Sequence, residues 1–403
     1  MSKALIAMSG GVDSSVSAKL MTDAGFECIG CMMKLYDNSD TDGDHHNGEG
    51  DDENGKDSRT CCSLDDSEDA RSVAYKLGMQ FYVFNFKEEF RTHVIDNFTA
   101  CYLKGMTPNP CIECNRFLKF NKLLERAQIL GCDYVVTGHY ARIEERNGEM
   151  VLLKGLDESK DQSYVLYMLS QEQLKHIRFP LGSLSKSEVR RIAEENGFVN
   201  AHKKDSQDIC FVPDGDYASV VRKYSEKCRD GLKDGSRDGS RDGARDGLRD
   251  VSSDGSSEVS GDVPGNFVTL NGKTLGKHKG IINYTVGQRK GLGISADRPL
   301  YVHHIDVERN EVVLSDNTDL FSNVVNVPEL SLTTDRKLPD GLRCSAKIRY
   351  HHKEQPGTLK LTGAGCVFTF DEPQRAITPG QSLVLYDGDR VLGGGIIAAS
   401  GTK

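Results

Sequence analysis

Near its N-terminus the chain reads KALIAMSGGVDSSVSAKLMTDAG, residues 3–25: a short apolar run, a double-glycine turn, then a segment closed by Gly25. A run of that length predicts a buried strand over 3–9, and residues 9–25 predict a turn entering a helix. A strand handed directly to a helix is the first step of a parallel α/β unit. The step repeats. ECIGCMMKLY (27–36) has strand character, SLDDSEDARSVAYKLG (63–78) is a helix with a Ser/Asp cap and acids in its first turn, and QFYVFNF (80–86) is the next strand. RFLKFNKLLERAQILG (116–131) predicts an amphipathic helix, CDYVVTGHY (132–140) a strand, and LSKSEVRRIAEENG (184–197) another capped helix. This alternation implies an α/β fold with a doubly wound parallel sheet.

With 403 residues, two or three domains are expected. After Val263 the texture changes. NFVTLNGKTLG carries an Asn-Gly turn between short strands, and YVHHIDVERNEVVLSD, RCSAKIRYHH, CVFTFDEP and SLVLYDGDRVLGGGIIAAS alternate without a long helix. That pattern predicts a small C-terminal β-barrel or sandwich. The limits follow as a catalytic domain over 1–206, a small central domain over 207–295 and the β-barrel over 296–403.

Two polar segments interrupt this plan. Residues 229–250 repeat RDGLKDGSRDGSRDGARDGLRD, where a glycine at every fourth position opposes a helix, so residues 229–262 predict a flexible insert. TDGDHHNGEGDDENGKD (41–57) is equally polar, and its His45 and His46 read as part of a solvated loop. The net charge of −9 argues against a nucleic-acid partner until it is located. Residues 37–57 hold nine acids against one lysine, and residues 229–262 hold nine acids against six basic residues. Without these segments the remainder carries about +2, and the objection fails. No apolar run approaches the ~20 residues of a membrane span. With no signal-peptide architecture either, a cytoplasmic protein without membrane contact is expected.

The strongest motif is SGGVDSS, Ser9–Ser15, at the first strand-to-helix junction. Gly10 and Gly11 let the backbone approach a phosphate, and the helix N-terminus offers unpaired N–H groups and its dipole. Ser9, Ser14 and Ser15 can add hydroxyl donors, while Asp13 could hold Mg²⁺ or position the turn. No G-x-x-x-x-G-K-[ST] is present, so this is not the loop of ordinary γ-phosphate hydrolases. A second motif, TPNPCIECNRFLKF (107–120), contains a C-x-x-C. By itself this is half a zinc site, a redox pair, part of an iron–sulfur site or a sulfur carrier.

SGGVDSS resembles the loop of the pyrophosphate-loop ATPases, the adenine-nucleotide hydrolase-like proteins that cleave ATP between its α and β phosphates. With TPNPCIECNRFLKF, TGHYAR (137–142), KDQSYVLY (160–167), DSQDICF (205–211), YTVGQRKGLGI (284–294) and PGQSLVLYDGDRVLGGGII (379–397), the chain resembles the bacterial tRNA-specific 2-thiouridylases. The resemblance spans nearly the whole chain outside the two polar inserts. It implies an ATP- and Mg²⁺-dependent tRNA sulfurtransferase making 2-thiouridine at the wobble position of Lys, Glu and Gln tRNAs. A cysteine desulfurase or sulfur-relay protein is implied upstream as donor.

The resemblance also implies residue roles. Cys114 matches the nucleophile and Cys210 the persulfide carrier. Ala7, Met8, Ser9, Gly10, Gly11, Val12, Asp13, Ser14, Met33 and Gly138 fall where the family binds ATP. Asn109, Pro110 and Cys111 fall where it meets the target base. His139, Lys160, Asp161, Gln162, Arg349, Tyr350 and Gln381 match tRNA-contacting positions. Arg289 and Lys290 could serve RNA or only solubility. Lys160 and Arg349 suit phosphate contacts, and Tyr350 suits stacking on a splayed base.

A carbonyl oxygen will not depart as oxide, so adenylation must convert it to AMP before sulfur replaces it. A thiolate or persulfide is the sulfur nucleophile. In the mechanism that the resemblance implies, attack of Cys114 on a Cys210 persulfide can release hydrosulfide and leave a Cys114–Cys210 disulfide; alternatively the persulfide attacks the base directly. Some relatives carry aspartate where this chain has Cys111, and a thiol transfers protons less readily than a carboxylate. Cys111, Cys114 and Cys210 could instead hold a [4Fe–4S] cluster whose open iron binds sulfide. Cys28 and Cys31, three apart on a predicted strand, point to opposite faces and cannot easily share a metal. Cys61 and Cys62 read as structural. The competing functions are another adenylating enzyme with a small substrate, and a non-enzymatic iron–sulfur or redox-sensing RNA-binding protein with a vestigial loop.

Overall fold

The computed structural model describes residues 1–36, 64–203, 209–212, 215–233 and 261–399. The His45/His46 loop, Cys61 and Cys62, residues 205–208 of the DSQDICF motif and the repeat from 234 to 260 lie outside the described residues. In the N-terminal half, β1 (Lys3–Ala7), β2 (Glu27–Lys34), β3 (Gln80–Asn85) and β4 (Tyr134–Val136) follow the predicted strands. Then come a hairpin, β5 (Ala141–Arg146) with β6 (Glu149–Lys154), and the two-residue β7 (Ile177–Arg178). β1, β2, β3, β4 and β7 form one parallel sheet in the order β3-β2-β1-β4-β7. Its central strand is apolar because both faces are covered: Ala4, Leu5 and Ile6 are fully buried, with Leu5 in register with Ile29 and Val135. Helix α1 (Val12–Asp23) leads from β1 to β2, and α2 (Leu64–Lys76) precedes β3.

The strand order turns at β1 and β4, because the chain builds outward from β1 in both directions. The crevice at the carboxyl ends of these two strands is where such sheets bind ligands. The strand expected over 132–140 stops at Val136 for a reason set by this crevice. A Cβ on Gly138 would lie 3.0 Å from the Asp13 carbonyl carbon and the Ser14 nitrogen, so the chain must turn away to clear α1.

Three further differences from the sequence expectation bear on function. The helix expected over 116–131 begins earlier, at Pro110. Asn109 caps it, its Oδ1 accepting the Cys111 N–H at 3.1 Å, and Pro110 takes the first helical position. The helix continues through a π-helical stretch, Cys114–Lys122, into Leu123–Ile129. The β5–β6 hairpin, with Asn147 and Gly148 both at positive φ, leaves the parallel sheet and pairs with the last strand of the chain. Finally, a helix spans Tyr217–Lys233 and so enters the Arg-Asp-Gly repeat by five residues, 229–233, despite its glycine. On the other side of the repeat, Asp262 is tied back to Arg222 at 2.8 Å.

The central sheet is built from β8 (Gly265–Thr269), β9 (Thr274–His278), β10 (Tyr301–Asp306) and β11 (Glu311–Ser315), in the order β10-β11-β8-β9. It draws strands from both sides of residue 295. The C-terminal strands are β12 (Phe321–Val327), β13 (Ser331–Leu332), β14 (Leu342–Lys347), β15 (Gln355–Thr362), β16 (Gly365–Arg375), β17 (Ser382–Asp387) and β18 (Arg390–Ile396). They join β5 and β6 in a nine-stranded antiparallel sheet, so the β-rich C-terminal expectation holds.

The cores interlock. One apolar cluster runs from Leu5 of the parallel sheet through Cys114, Leu118 and Phe211 to Phe267 and Val312 of the central sheet. Another joins Ile112 and Phe120 to Val384 and Tyr386 of the C-terminal sheet. The 110–122 helix thus buries one side in each cluster.

Candidate active site

The SGGVDSS loop follows β1 as expected, and its shape is enforced by its neighbours. Gly10 has φ +73°, and a Cβ there would stand 2.4 Å from the Asp66 carbonyl oxygen. Only glycine satisfies both demands. Gly11 occupies the N-cap of α1 with no side-chain cap, which leaves the first-turn N–H groups for an anion. The serines divide their work. Ser14 and Ser15 donate to the Gly11 carbonyl at 3.0 and 3.1 Å, and Ser15 is fully buried, so its hydroxyl serves the loop rather than a phosphate. Ser9 stays exposed, its N–H bonded to Ser14 Oγ at 3.2 Å. Ala7 ends β1, Met33 sits half-buried near the end of β2, and Gly138 follows β4, so the expected ATP positions converge on the crevice.

Four residues that motif reading missed complete this site. Lys186 places its ammonium 2.7 and 2.9 Å from the two Asp13 carboxylate oxygens, and the Tyr140 hydroxyl donates to Asp13 Oδ1 at 2.8 Å. Asp13 is therefore engaged by a cation and a phenol in this structure. Asn200, almost fully buried, donates to the Gly10 carbonyl and to Ser15 Oγ, both at 2.9 Å. Lys203 bonds Asp66 and Asp69 at 2.6 and 2.7 Å, closing a ring from the loop through α2 to the segment before Cys210. The capping box at Ser185 and Glu188 was the available signal for Lys186; nothing local marked Asn200.

The two assigned cysteines come from distant segments. Cys114 is 9% exposed on the 110–122 helix, and Cys210 is half-buried and packs against the same apolar cluster. Tyr36 donates to the Cys210 carbonyl at 2.7 Å, and Phe211 stands edge-on to Phe90 and Phe98. These contacts fix the backbone beside the Cys210 thiol. Cys111, one helical turn before Cys114, is exposed. Among the described residues, which include all three, no group of three His, Cys, Asp or Glu side chains is arranged to hold a metal ion.

The positions expected to meet RNA fall into two classes. Arg349 and Cys111 are exposed, and Asn109, Lys160 and Tyr350 are half-buried. Burial, then the neighbouring Asp161 and Cys111, push the Tyr350 phenol up to about 12, against a hydrogen bond with Gln162. Others are integral to the scaffold. Asp161 accepts from the Gly155 and Ser163 N–H groups at 3.1 Å and pairs with Lys347 at 3.5 Å. Gln162 Oε1 accepts the Tyr140 N–H at 3.0 Å. His139 is buried against Phe120 and Phe179, 2.7 Å from Thr137 Oγ1; burial, then Lys119, hold its imidazole well below the usual range. Gln381 donates to the Thr107 carbonyl at 2.8 Å, while the Thr107 N–H bonds the Pro379 carbonyl and its hydroxyl meets Thr285 at 3.4 Å. The start of the cysteine motif is thereby clasped by both β-rich regions.

A family model described as tRNA methyl transferase HUP domain matches residues 2–214. Models of a tRNA methyl transferase PRC-barrel domain and an aminomethyltransferase beta-barrel domain match 257–316 and 324–397. The chain is 45% identical over 401 residues to the tRNA-specific 2-thiouridylase MnmA of Clostridioides difficile, covering 99% of this chain and 98% of that protein. It is 44% identical over 398 residues to the tRNA-specific 2-thiouridylase MnmA of Acetivibrio thermocellus, covering 98% of this chain and 99% of that one.

Proposed function

The chain belongs to the tRNA-specific 2-thiouridylase family, and on that premise we propose how its own residues carry the reaction. It is a tRNA sulfurtransferase that uses ATP to make 2-thiouridine. ATP lies in the crevice with its phosphates on the Gly10–Gly11 turn and the α1 N-terminus, where backbone N–H groups stabilise charge as pyrophosphate leaves. Asp13, held by Lys186 and Tyr140, is the loop carboxylate that would hold Mg²⁺ beside the ATP phosphates, where the ion would offset their charge. The uridine C2 oxygen attacks the α phosphate and becomes part of AMP, a competent leaving group.

Cys210 carries the persulfide and Cys114 is the nucleophile. Attack by Cys114 on the Cys210 persulfide releases hydrosulfide at the activated carbon and leaves the Cys114–Cys210 disulfide. What supports this reading is that Cys114 lies in, and Cys210 packs against, one apolar cluster that also takes in Leu5 and Met33 of the parallel sheet, although the two cysteines are 96 positions apart. The base enters at Asn109, Pro110 and Cys111, and the RNA backbone lies over Lys160 and Arg349. The wobble uridine of Lys, Glu and Gln tRNAs is the substrate, and a cysteine desulfurase or relay protein loads Cys210. A cytoplasmic setting fits this chemistry; among the described residues no helix is long and apolar enough to cross a membrane.

The test is thiolation of unmodified tRNA with ATP, Mg²⁺ and a persulfide source, read as retarded migration in a mercury-containing gel. Turnover surviving in Cys210→Ser removes the persulfide assignment. Activity that depends on iron in an anaerobic preparation replaces the disulfide route with a cluster.

A further inference from the structure

We propose that Cys111 resets the enzyme, its thiol resolving the Cys114–Cys210 disulfide by exchange within the Cys111–Cys114 pair. This rests on the disulfide route above and gives a redox task to the member of the C-x-x-C that the route uses only where the base enters. The helix start at Pro110 makes the exchange possible. On a helix, residues three apart are neighbours on one face with Cβ atoms ~5–6 Å apart; a disulfide needs ~3.5–4.5 Å, so the pair joins once the first turn of the helix gives by about 1 Å. The same spacing on a strand, as for Cys28 and Cys31 in β2, sends the side chains to opposite faces.

Exposure then sets the direction. Cys114 is buried and Cys210 half-buried, whereas Cys111 is open to solvent. A reductant reaches Cys111 most readily, so exchange brings the disulfide from the interior to the surface. Other thiols are poor substitutes: burial pushes Cys101, Cys132 and Cys366 to about 11 and Cys344 to about 12. Cys111 also borders the face assigned to the target base, which places the exchange after thiolated product has left.

The step balances. The Cys111 thiolate attacks Cys114 Sγ, the Cys114–Cys210 bond breaks and the Cys111–Cys114 bond forms. Cys210 departs as thiolate, ready to be reloaded, and no net oxidation occurs. A dithiol reductant then attacks Cys111 Sγ, expelling the Cys114 thiolate; the dithiol becomes a disulfide and supplies the two electrons.

The test uses the full chain, loaded with persulfide and given ATP, Mg²⁺ and unmodified tRNA for one turnover without reductant. The protein is then acid-quenched, alkylated and mapped by peptide mass. The expected wild-type product is a Cys111–Cys114 disulfide with Cys210 alkylated. Cys111→Ser should instead trap Cys114–Cys210, and its steady-state rate with a dithiol should fall about tenfold relative to its own single-turnover rate. Wild-type protein trapped only as Cys114–Cys210, or Cys111→Ser keeping the wild-type ratio of those rates, overturns the reset. Full thiolation with all three thiols alkylated overturns the disulfide route beneath it.

Discussion

The nucleotide loop and the cysteine site are built on opposite plans. The loop is seven consecutive residues whose geometry follows from its own glycines and serines, with Asn200 and Asp66 bracing it from outside. The cysteine site has no such continuity. Cys114 rides on a helix between two apolar clusters, Cys210 is anchored through Tyr36 and Phe211, and the motif's first residue, Thr107, is clasped by Thr285, Pro379 and Gln381. Adenylation needs a phosphate cradle, which backbone N–H groups provide locally. Sulfur transfer needs two thiols and a base at one point, which only converging segments provide.

The comparison breaks most sharply if the two regions cannot be separated. Cys114→Ala should lower thiolation by ~10³-fold or more while tRNA-dependent ATP–pyrophosphate exchange persists. Loss of exchange as well would mean that the cysteine helix also builds the nucleotide site. Gly10→Ala should do the reverse damage, destabilising the fold by about 3 kcal/mol in urea unfolding, because positive φ and the Asp66 carbonyl both oppose a Cβ. An unchanged midpoint would show that the loop tolerates displacement.

Asn200→Asp removes donors from Gly10 and Ser15 and adds a charge near the phosphates. The KM for ATP should rise about tenfold, or ~1.4 kcal/mol, with a smaller change in kcat. His139 follows Gly138 and packs against Phe120 of the cysteine helix. Its folded imidazole titrates below its unfolded value, so its contribution is present above the unfolded range and is lost as pH falls toward the depressed value. Stability should decline below about pH 6.5 by up to ~1.4 kcal/mol per unit, and His139→Gln should flatten that slope in thermal melts. The smallest effect is expected from Gln381→Ala, which loosens the clasp on Thr107. A fall of about threefold in thiolation rate, ~0.7 kcal/mol, with the ATP KM unchanged would show that the C-terminal sheet tunes only the cysteine region.

Periodicity and turn residues were enough to place the early strands and α1, since each depends on neighbours within a few positions. The Asn109-Pro110 helix start is legible too, as a cap followed by proline, but the apolar pattern that marks the expected helix begins only at Phe117. The β5–β6 hairpin carried an Asn-Gly signal, but nothing local could say that it would pair with β18 at Leu153 and Arg390.

Of the opposed elements, the sequence alone placed the SGGVDSS turn between β1 and α1, because strand, glycine and helix signals act over a few residues, and it singled out Cys111, Cys114 and Cys210 through the motifs that carry them. Tertiary structure decided what each thiol faces. Burial of Cys114, exposure of Cys111, the Lys186–Asp13 pair and the Asn200 brace all arise from segments separated by tens to hundreds of residues. Their proximity depends on how helices and sheets bury apolar surface together, which has no signature in any one stretch of chain.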